Sequence, residues 1–332
     1  MRIFAFEYVT GGGFAGQPLP DFLADGETMW QALVRDLTAL PGLEVITLRD
    51  ARLTMPDIPG LEAIATDAHR FNADYQHCLA AADAVWPVAP ESGGLLEDLS
   101  REIIHAGKRL LGSGPDAVRV AASKHATYQR LLSTGLRQPR TFTSPFLMTE
   151  DRPVVAKPDD GAGCADTHYF DGLAALEAWV LAHGGESHAY QYYVPGPALS
   201  LSLLCCDGQA QLLSVNRQHV EIRDGRFQAH GVTVNALEDT DGTYRRVARY
   251  IAEALPDLWG YVGVDLVAAE DGPRVLEINP RLTLSYAGLG QALGCNPAAF
   301  VLALPEFARF TPAGAVSLLS SDHLSVPEKE AA

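Results

Sequence analysis

Two apolar stretches near the C-terminal end, Tyr261–Ala269 (YVGVDLVAA) and Arg274–Arg281 (RVLEINPR), are separated only by EDGP. Such a layout folds as a β-hairpin, and it carries acids where apolar residues are expected. Strand side chains alternate faces, so Glu277, Asn279 and Arg281 share one side of the second strand. Asp265 is the one charged residue of the first. A lone acid in an apolar strand is costly unless it is paired or bound to metal. Asp265, Glu277 and the Asn279 carbonyl are oxygen donors of the kind that hard Mg²⁺ prefers. Geometry sets a condition. A two-residue turn at Asp271-Gly272 puts Asp265 and Glu277 on opposite faces, so a shared metal needs a three- or five-residue loop, or a bulge. The alternative is a surface hairpin with acids facing water; Leu266, Val267, Val275 and Leu276 speak for a buried pair.

The rest of the chain divides into two patterns. Over the first ~110 residues strands alternate with helices, as in a parallel α/β unit. The strands are residues 2–8, 43–48 and 84–88; the helices are 29–40 and 95–106. Residues 115–132 read as one helix with Lys124 inside it. Beyond it, strand-like runs at 152–158, 189–194, 198–206, 211–222 and 226–234 follow one another across Gly, Pro or Asp-Gly turns, which points to antiparallel sheet. Helices are expected at 173–183, 243–254 and 285–293. The organisation is therefore 1–112 as an α/β domain, 113–312 as a mixed α+β region with a small lobe over about 113–190 and a large lobe over about 191–312, and 313–332 as a tail.

Only four of the 25 basic residues are lysines. Lys157 ends a buried strand and precedes Gly161 and Gly163, a placement that gives a phosphate a point charge and a closely approaching backbone. A hairpin turn with a surface lysine is the other reading, and Lys124 alone reads as an ordinary helical lysine. The net charge of −16 argues against binding nucleic acid or an anionic membrane surface, since both need a basic face. No stretch has the 18 apolar residues of a membrane span, and residues 1–10 lack a signal-peptide layout. Five scattered cysteines without metal-like spacing read as reduced thiols, so a cytoplasmic protein is expected. Glu7, at the end of the first strand, either docks a substrate ammonium or caps the Thr10–Gly13 loop; Thr10 and Gly11 belong to the same candidate substrate region.

Taken in order, Lys124, Lys157 with its glycine loop, "QYYVPG", Asp265 and "EINPR" resemble the ATP-grasp family over about residues 113–310. The resemblance implies an ATP-grasp fold, two α+β lobes clamping ATP, preceded by a small Rossmann-like α/β domain. It assigns Lys124, Lys157, Gly161 and Gly163 to the phosphates, and Gln191, Tyr193 and Val194 to the adenine. Asp265, Glu277 and Asn279 fall to Mg²⁺, as two ions with Mn²⁺ as the alternative metal. Arg281 falls to the transferred phosphoryl group and Arg217 to the γ-phosphate. One departure is Ala198, where many members use a Glu on the ribose. Such enzymes join a carboxylate to an amine through an acyl phosphate, with small-molecule partners. The opening "RIFAFEYVTGGG", with "SVNRQHV" and "EINPRLTLSYAGL", is similar to the tyramine–L-glutamate ligases of methanofuran-type cofactor synthesis. Other readings are a ligase of another amino acid or amine, a phosphotransferase acting on a hydroxyl, and a nucleotide-binding module without turnover. An assembly of identical copies is compatible with all of them.

Overall fold

The computed structural model describes residues 1–161, 164, 166–185 and 187–307. The first part contains β1 (Arg2–Glu7), α1 (Leu23–Thr38), β2 (Glu44–Asp50), β3 (Leu61–Thr66), α2 (Phe71–Ala81), β4 (Ala84–Val88), α3 (Leu95–His105) and β5 (Arg109–Leu110). The five strands pair in the order β3-β2-β1-β4-β5, and every pairing is parallel. Alternation along β1 explains how helices cover both faces. Ile3 and Ala5 pack with the α1 stripe of Met29, Trp30, Leu33 and Leu37. Phe4 and Phe6 point the other way, toward Tyr75 and Leu79 of α2 and Leu99 and Ile103 of α3. The stretch Val9–Gly13, expected as a loop, forms one wide helical turn in which Gly12 takes φ 95°.

The second part contains α4 (Pro115–Ala122), α5 (Lys124–Leu131), β6 (Thr141–Phe142), β7 (Val154–Pro158), β8 (His168–Phe170), α6 (Leu173–His183), β9 (His188–Tyr192), β10 (Ala198–Cys206), β11 (Gln209–Arg223), β12 (Arg226–Leu237), α7 (Thr243–Ala254), β13 (Gly260–Ala269), β14 (Gly272–Asn279), α8 (Tyr286–Leu293) and α9 (Pro297–Phe307). Its strands form one nine-stranded sheet, β14-β13-β10-β11-β12-β8-β7-β9-β6, with antiparallel pairings throughout. The link between its halves is narrow: β12 meets β8 at Arg226 opposite His168. Leu199, Leu201 and Leu203 of β10 lie in a core with Val247 and Ile251 of α7. A separate small core holds Val154, Ala156, Tyr190 and Leu176.

The helical run over 115–132 is two helices. Ser123 is extended (φ −103°, ψ 123°), and its Oγ accepts the Ala126 N–H at 3.0 Å, so Lys124 opens α5 rather than lying inside a longer helix. The connector after β9 is pressed against β13. Gly196 has φ 147°, a Cβ there would lie 2.5 Å from the Ala268 carbonyl oxygen, and the Ala268 N–H bonds the Pro197 carbonyl at 2.9 Å. Gly196→Ala is expected to destabilise the fold by about 2 kcal/mol or more through strain and crowding, measured by urea unfolding.

Candidate active site

The hairpin meets its geometric condition through a bulge. Its turn is Glu270-Asp271, with Ala269 opposite Gly272 and Leu266 opposite Val275. Continued without interruption, that register would oppose Asp265 to Leu276 and send Glu277 into the apolar core beside Val275. Instead Leu276 is extra, and Asp265 faces Glu277 while Gly263 faces Asn279. The strand ends at Asn279, before Pro280, so Arg281 lies past the ladder and does not share its face. This corrects the reading of 274–281 as one strand; Pro280 has no N–H to continue it.

The two carboxylates are crowded. Gln218 Nε2 donates to Asp265 Oδ1 at 2.7 Å, and Asn279 Nδ2 to Oδ2 at 3.1 Å. Burial, then the Glu277 charge, pushes the Asp265 carboxyl up to about 7. Both lysines come to this place. Lys124 Nζ lies 3.7 Å from Glu277 Oε2 and donates to the Gly161 carbonyl. Lys157, buried at the end of β7, is held below its ordinary pKa by desolvation, against the opposing pull of Glu277 and Asp265. The Asp159 carboxylate positions α5, accepting from Ser123 Oγ at 2.6 Å and from the His125 N–H at 2.8 Å.

Other candidates are distributed unevenly. Val155, opposite Gln191, shares a face of β7 with Lys157, away from the small core. The Gln191 amide is engaged within its own sheet, with Nε2 on Thr141 Oγ1 at 2.8 Å. Tyr193 stands edge-on to Tyr169 with ring centroids 5.2 Å apart; its N–H is bonded to Pro153, and Val194 beside it is half-buried. Gly163 lies outside the described residues. Arg217 is not brought to the site. Ser200 pairs with both Asp265 and Asn216, which puts those three side chains on one face, and Arg217, opposite the core residue Leu199, is on the other. Strand parity gives the site Gln218 in its place.

Arg281 reaches toward the carboxyl ends of the parallel strands. Its Nη2 is 3.0 Å from Oε2 of Glu91, just beyond β4, and its Nη1 donates to the Leu282 carbonyl at 3.0 Å. Glu7 adopts the loop-capping geometry: its carboxylate accepts the N–H groups of Thr10 at 2.7 Å and Val9 at 3.2 Å. Burial raises its pKa, and those hydrogen bonds and the Arg281 charge oppose the rise. Gly11 is required by contact, since a Cβ would lie 2.8 Å from the Phe6 ring. Sequence reading missed Glu91, Gln218, Asp159 and Asp160. Glu91 alone had a usable signal: like Glu7, it is an acid at the carboxyl end of a buried strand, three residues past β4.

Residues 121–285 match the family model of the ATP-grasp domain, and residues 43–118 that of the pre ATP-grasp 3 domain. The chain is an ATP-grasp ligase. It is 25% identical over 290 residues to the tyramine–L-glutamate ligase of Methanocaldococcus jannaschii, covering 86% of this chain and 84% of that one. Among solved structures, an ATP-grasp superfamily protein from Archaeoglobus fulgidus superposes with a TM-score of 0.69 at 24% identity, covering 91% of this chain and 88% of the other. The L-amino acid ligase from Bacillus licheniformis gives a TM-score of 0.64 at 17% identity over 91% and 73% of the two chains. The expected ATP-grasp fold, with a parallel α/β unit ahead of it, is thus found. No single helix among the described residues is long and apolar enough to cross a membrane.

ATP-grasp proteins use ATP with Mg²⁺, and the donor set of this ATP-grasp site fits that ion. Among the described residues no three His, Cys, Asp or Glu converge. The hairpin offers two opposed carboxylates with an amide beside them, all hard oxygen chemistry. Two crowded carboxylates, one resisting ionisation, are also what a divalent cation relieves. Protons compete with the metal for Asp265. Mg²⁺ affinity is therefore expected to rise by up to about tenfold per pH unit below 7 and to level off above 8, as read by calorimetry. The sign for the metal-free fold is opposite. Its Asp265 pKa lies above the ordinary 3.8, so this group's contribution to stability falls as pH rises through 7.

Proposed function

We propose that this ADP-forming carboxylate–amine ligase joins the γ-carboxylate of L-glutamate to the amine of tyramine. The observation that carries the substrate choice is the chain-long similarity to a tyramine–L-glutamate ligase, which extends through the N-terminal unit as well as the ATP-grasp domain. The chemistry is carboxylate attack on the γ-phosphorus, breaking the bond to ADP. The neutral amine then attacks the acyl carbon, breaking its bond to phosphate.

The physical difficulty is bringing an anionic carboxylate to an anionic triphosphate. In this reading Lys124 and Lys157 hold the phosphates and Arg281 faces the transferred group, lowering the repulsion and stabilising the charge that passes to ADP. Asp265, Glu277 and Asn279 hold Mg²⁺, two ions in the reading adopted here, which when bound supplies further positive charge at the phosphates. Gln191, Tyr193 and Val194 border the adenine, and Gly161 offers its backbone to the phosphates. A protein nucleophile has no part in this scheme. Cys164, within reach of the Lys157 charge, has its thiol pushed up to about 11 by burial and by Glu277, so it stays protonated at neutral pH.

The test is incubation with ATP, Mg²⁺, L-glutamate and tyramine. Phosphate release that requires both substrates, together with a γ-glutamyl amide by mass, is the expected result. Amide formed only with another amino acid or amine from a panel would replace the substrates. A stable phosphorylated product would replace the ligase by a phosphotransferase.

A further inference from the structure

The ion pair between Arg281 and Glu91 is incomplete. Arginine and carboxylate groups commonly meet through two parallel hydrogen bonds. Here only Nη2 and Oε2 meet, at 3.0 Å. Among the described residues, Arg281 Nε and Glu91 Oε1 are both buried without a partner. Glu91 is 5% exposed. A buried polar atom left open is costly, and two such atoms on adjoining groups leave an acceptor and a donor free at one place.

Its location ties this place to the reaction. Glu91 follows β4, which pairs with β1 on the opposite side from β2, so it stands where the strand order reverses and open parallel sheets bind ligands. The turn after Glu91 uses two left-handed glycines, Gly93 (φ 66°) and Gly94 (φ 72°), and Gly93 is at the surface. The Gly93 N–H bonds Asp160 Oδ2 at 2.7 Å. Asp160 adjoins Asp159, which fixes the start of the helix bearing Lys124. The Glu91 turn is thus fastened to the segment that carries the phosphate-side lysines, while its carboxylate faces the Arg281 guanidinium.

We propose that Glu91, through its open carboxylate oxygen, docks an ammonium group of a substrate, with Arg281 aligning it; this rests on the ligase reading above. An ionised donor is the strongest partner for an open carboxylate oxygen. Either substrate of an acid–amine ligation can supply one, as the attacking amine or as the α-ammonium of the amino acid. Docking in the charged form sets position and selectivity, and the proton leaves before attack.

The test is calorimetric and needs no turnover. Tyramine, L-glutamate and their ammonium-free analogues, 4-ethylphenol and glutarate, are titrated into wild type and Glu91→Gln, each loaded with Mg²⁺ and a non-hydrolysable ATP analogue. The expected result is about 10- to 100-fold weaker binding of one ammonium ligand to Glu91→Gln, the loss of a hydrogen bond to a charged group. Its ammonium-free analogue should bind both proteins alike. In wild type alone, the ammonium ligand should exceed its analogue by a similar factor, which decides the matter even if the variant folds poorly. Loss for tyramine identifies the attacking amine; loss for glutamate identifies the α-ammonium. Equal binding to both proteins, or no preference for either ammonium ligand in wild type, overturns the proposal. Absence of amide product from the wild type would remove the ligase reading separately, and the binding comparison would still decide Glu91.

Discussion

Glu277→Ala is expected to lower turnover by about 10²- to 10³-fold, the scale lost when one preorganised electrostatic group leaves an active site. Mg²⁺ binding should weaken in parallel. Glu277 faces Asp265 across the hairpin and lies 3.7 Å from Lys124, so its removal takes away the proposed metal donor and the partner of the proposed phosphate-side cation at once. The fold should survive. Glu277 is the second-largest cause holding the Asp265 carboxyl up near 7, and without it Asp265 ionises more readily. A thermal melt within a few degrees of wild type, beside a flat Mg²⁺ titration, is the signature. Unchanged Mg²⁺-dependent activity would end the assignment of this hairpin to the metal.

Lys157→Met should separate stability from activity. Lys157 is buried, and desolvation is the largest influence on its ammonium. Desolvation outweighs the attraction of Glu277 and Asp265, so exchanging this ammonium for an apolar side chain of similar length removes a net electrostatic cost. The variant is therefore expected to melt at the same temperature or higher while turnover falls by about 10²-fold or more, through loss of the point charge on the phosphates. Parallel melts and steady-state ATP kinetics check it. Turnover within twofold of wild type would show that the phosphates lie elsewhere.

Much of this site was legible because strands constrain side chains. Alternation identified Asp265 and Glu277 as acids out of place, and parity alone showed that the hairpin needed an irregularity to bring them together. Where it falls was not legible, since Leu276 is one apolar residue among several and only the ladder decides that it is the extra one. Arg217 was placed by the family resemblance alone, with no reading of which face of its strand it takes. β11 is a 15-residue strand whose pairing with β12 shifts between Val215 and Arg217, so facing cannot be counted along it from either end. Ser123 shows a third case. Apolar periodicity runs unbroken through 115–132, and the break is made by Asp159, a residue 36 positions away, bonding to the Ser123 hydroxyl. The role of Glu91 stayed hidden for a similar reason, because its partner Arg281 lies far along the chain, past the end of β14.

The shared core of α1, α8 and α9 bears on engineering. Trp30, Leu33 and Leu37 pack in one cluster with Leu289, Ala298 and Val301, and Asn296 Nδ2 donates to the Asp36 carbonyl at 2.7 Å. A modular exchange would graft the N-terminal unit of one relative onto another. In this protein the graft boundary cannot be a single cut, because the helices near the far end of the chain form part of the floor on which the first unit stands. A chimera that carries those helices along with the leading segment preserves the seam; one that leaves them behind joins two surfaces that never evolved to fit.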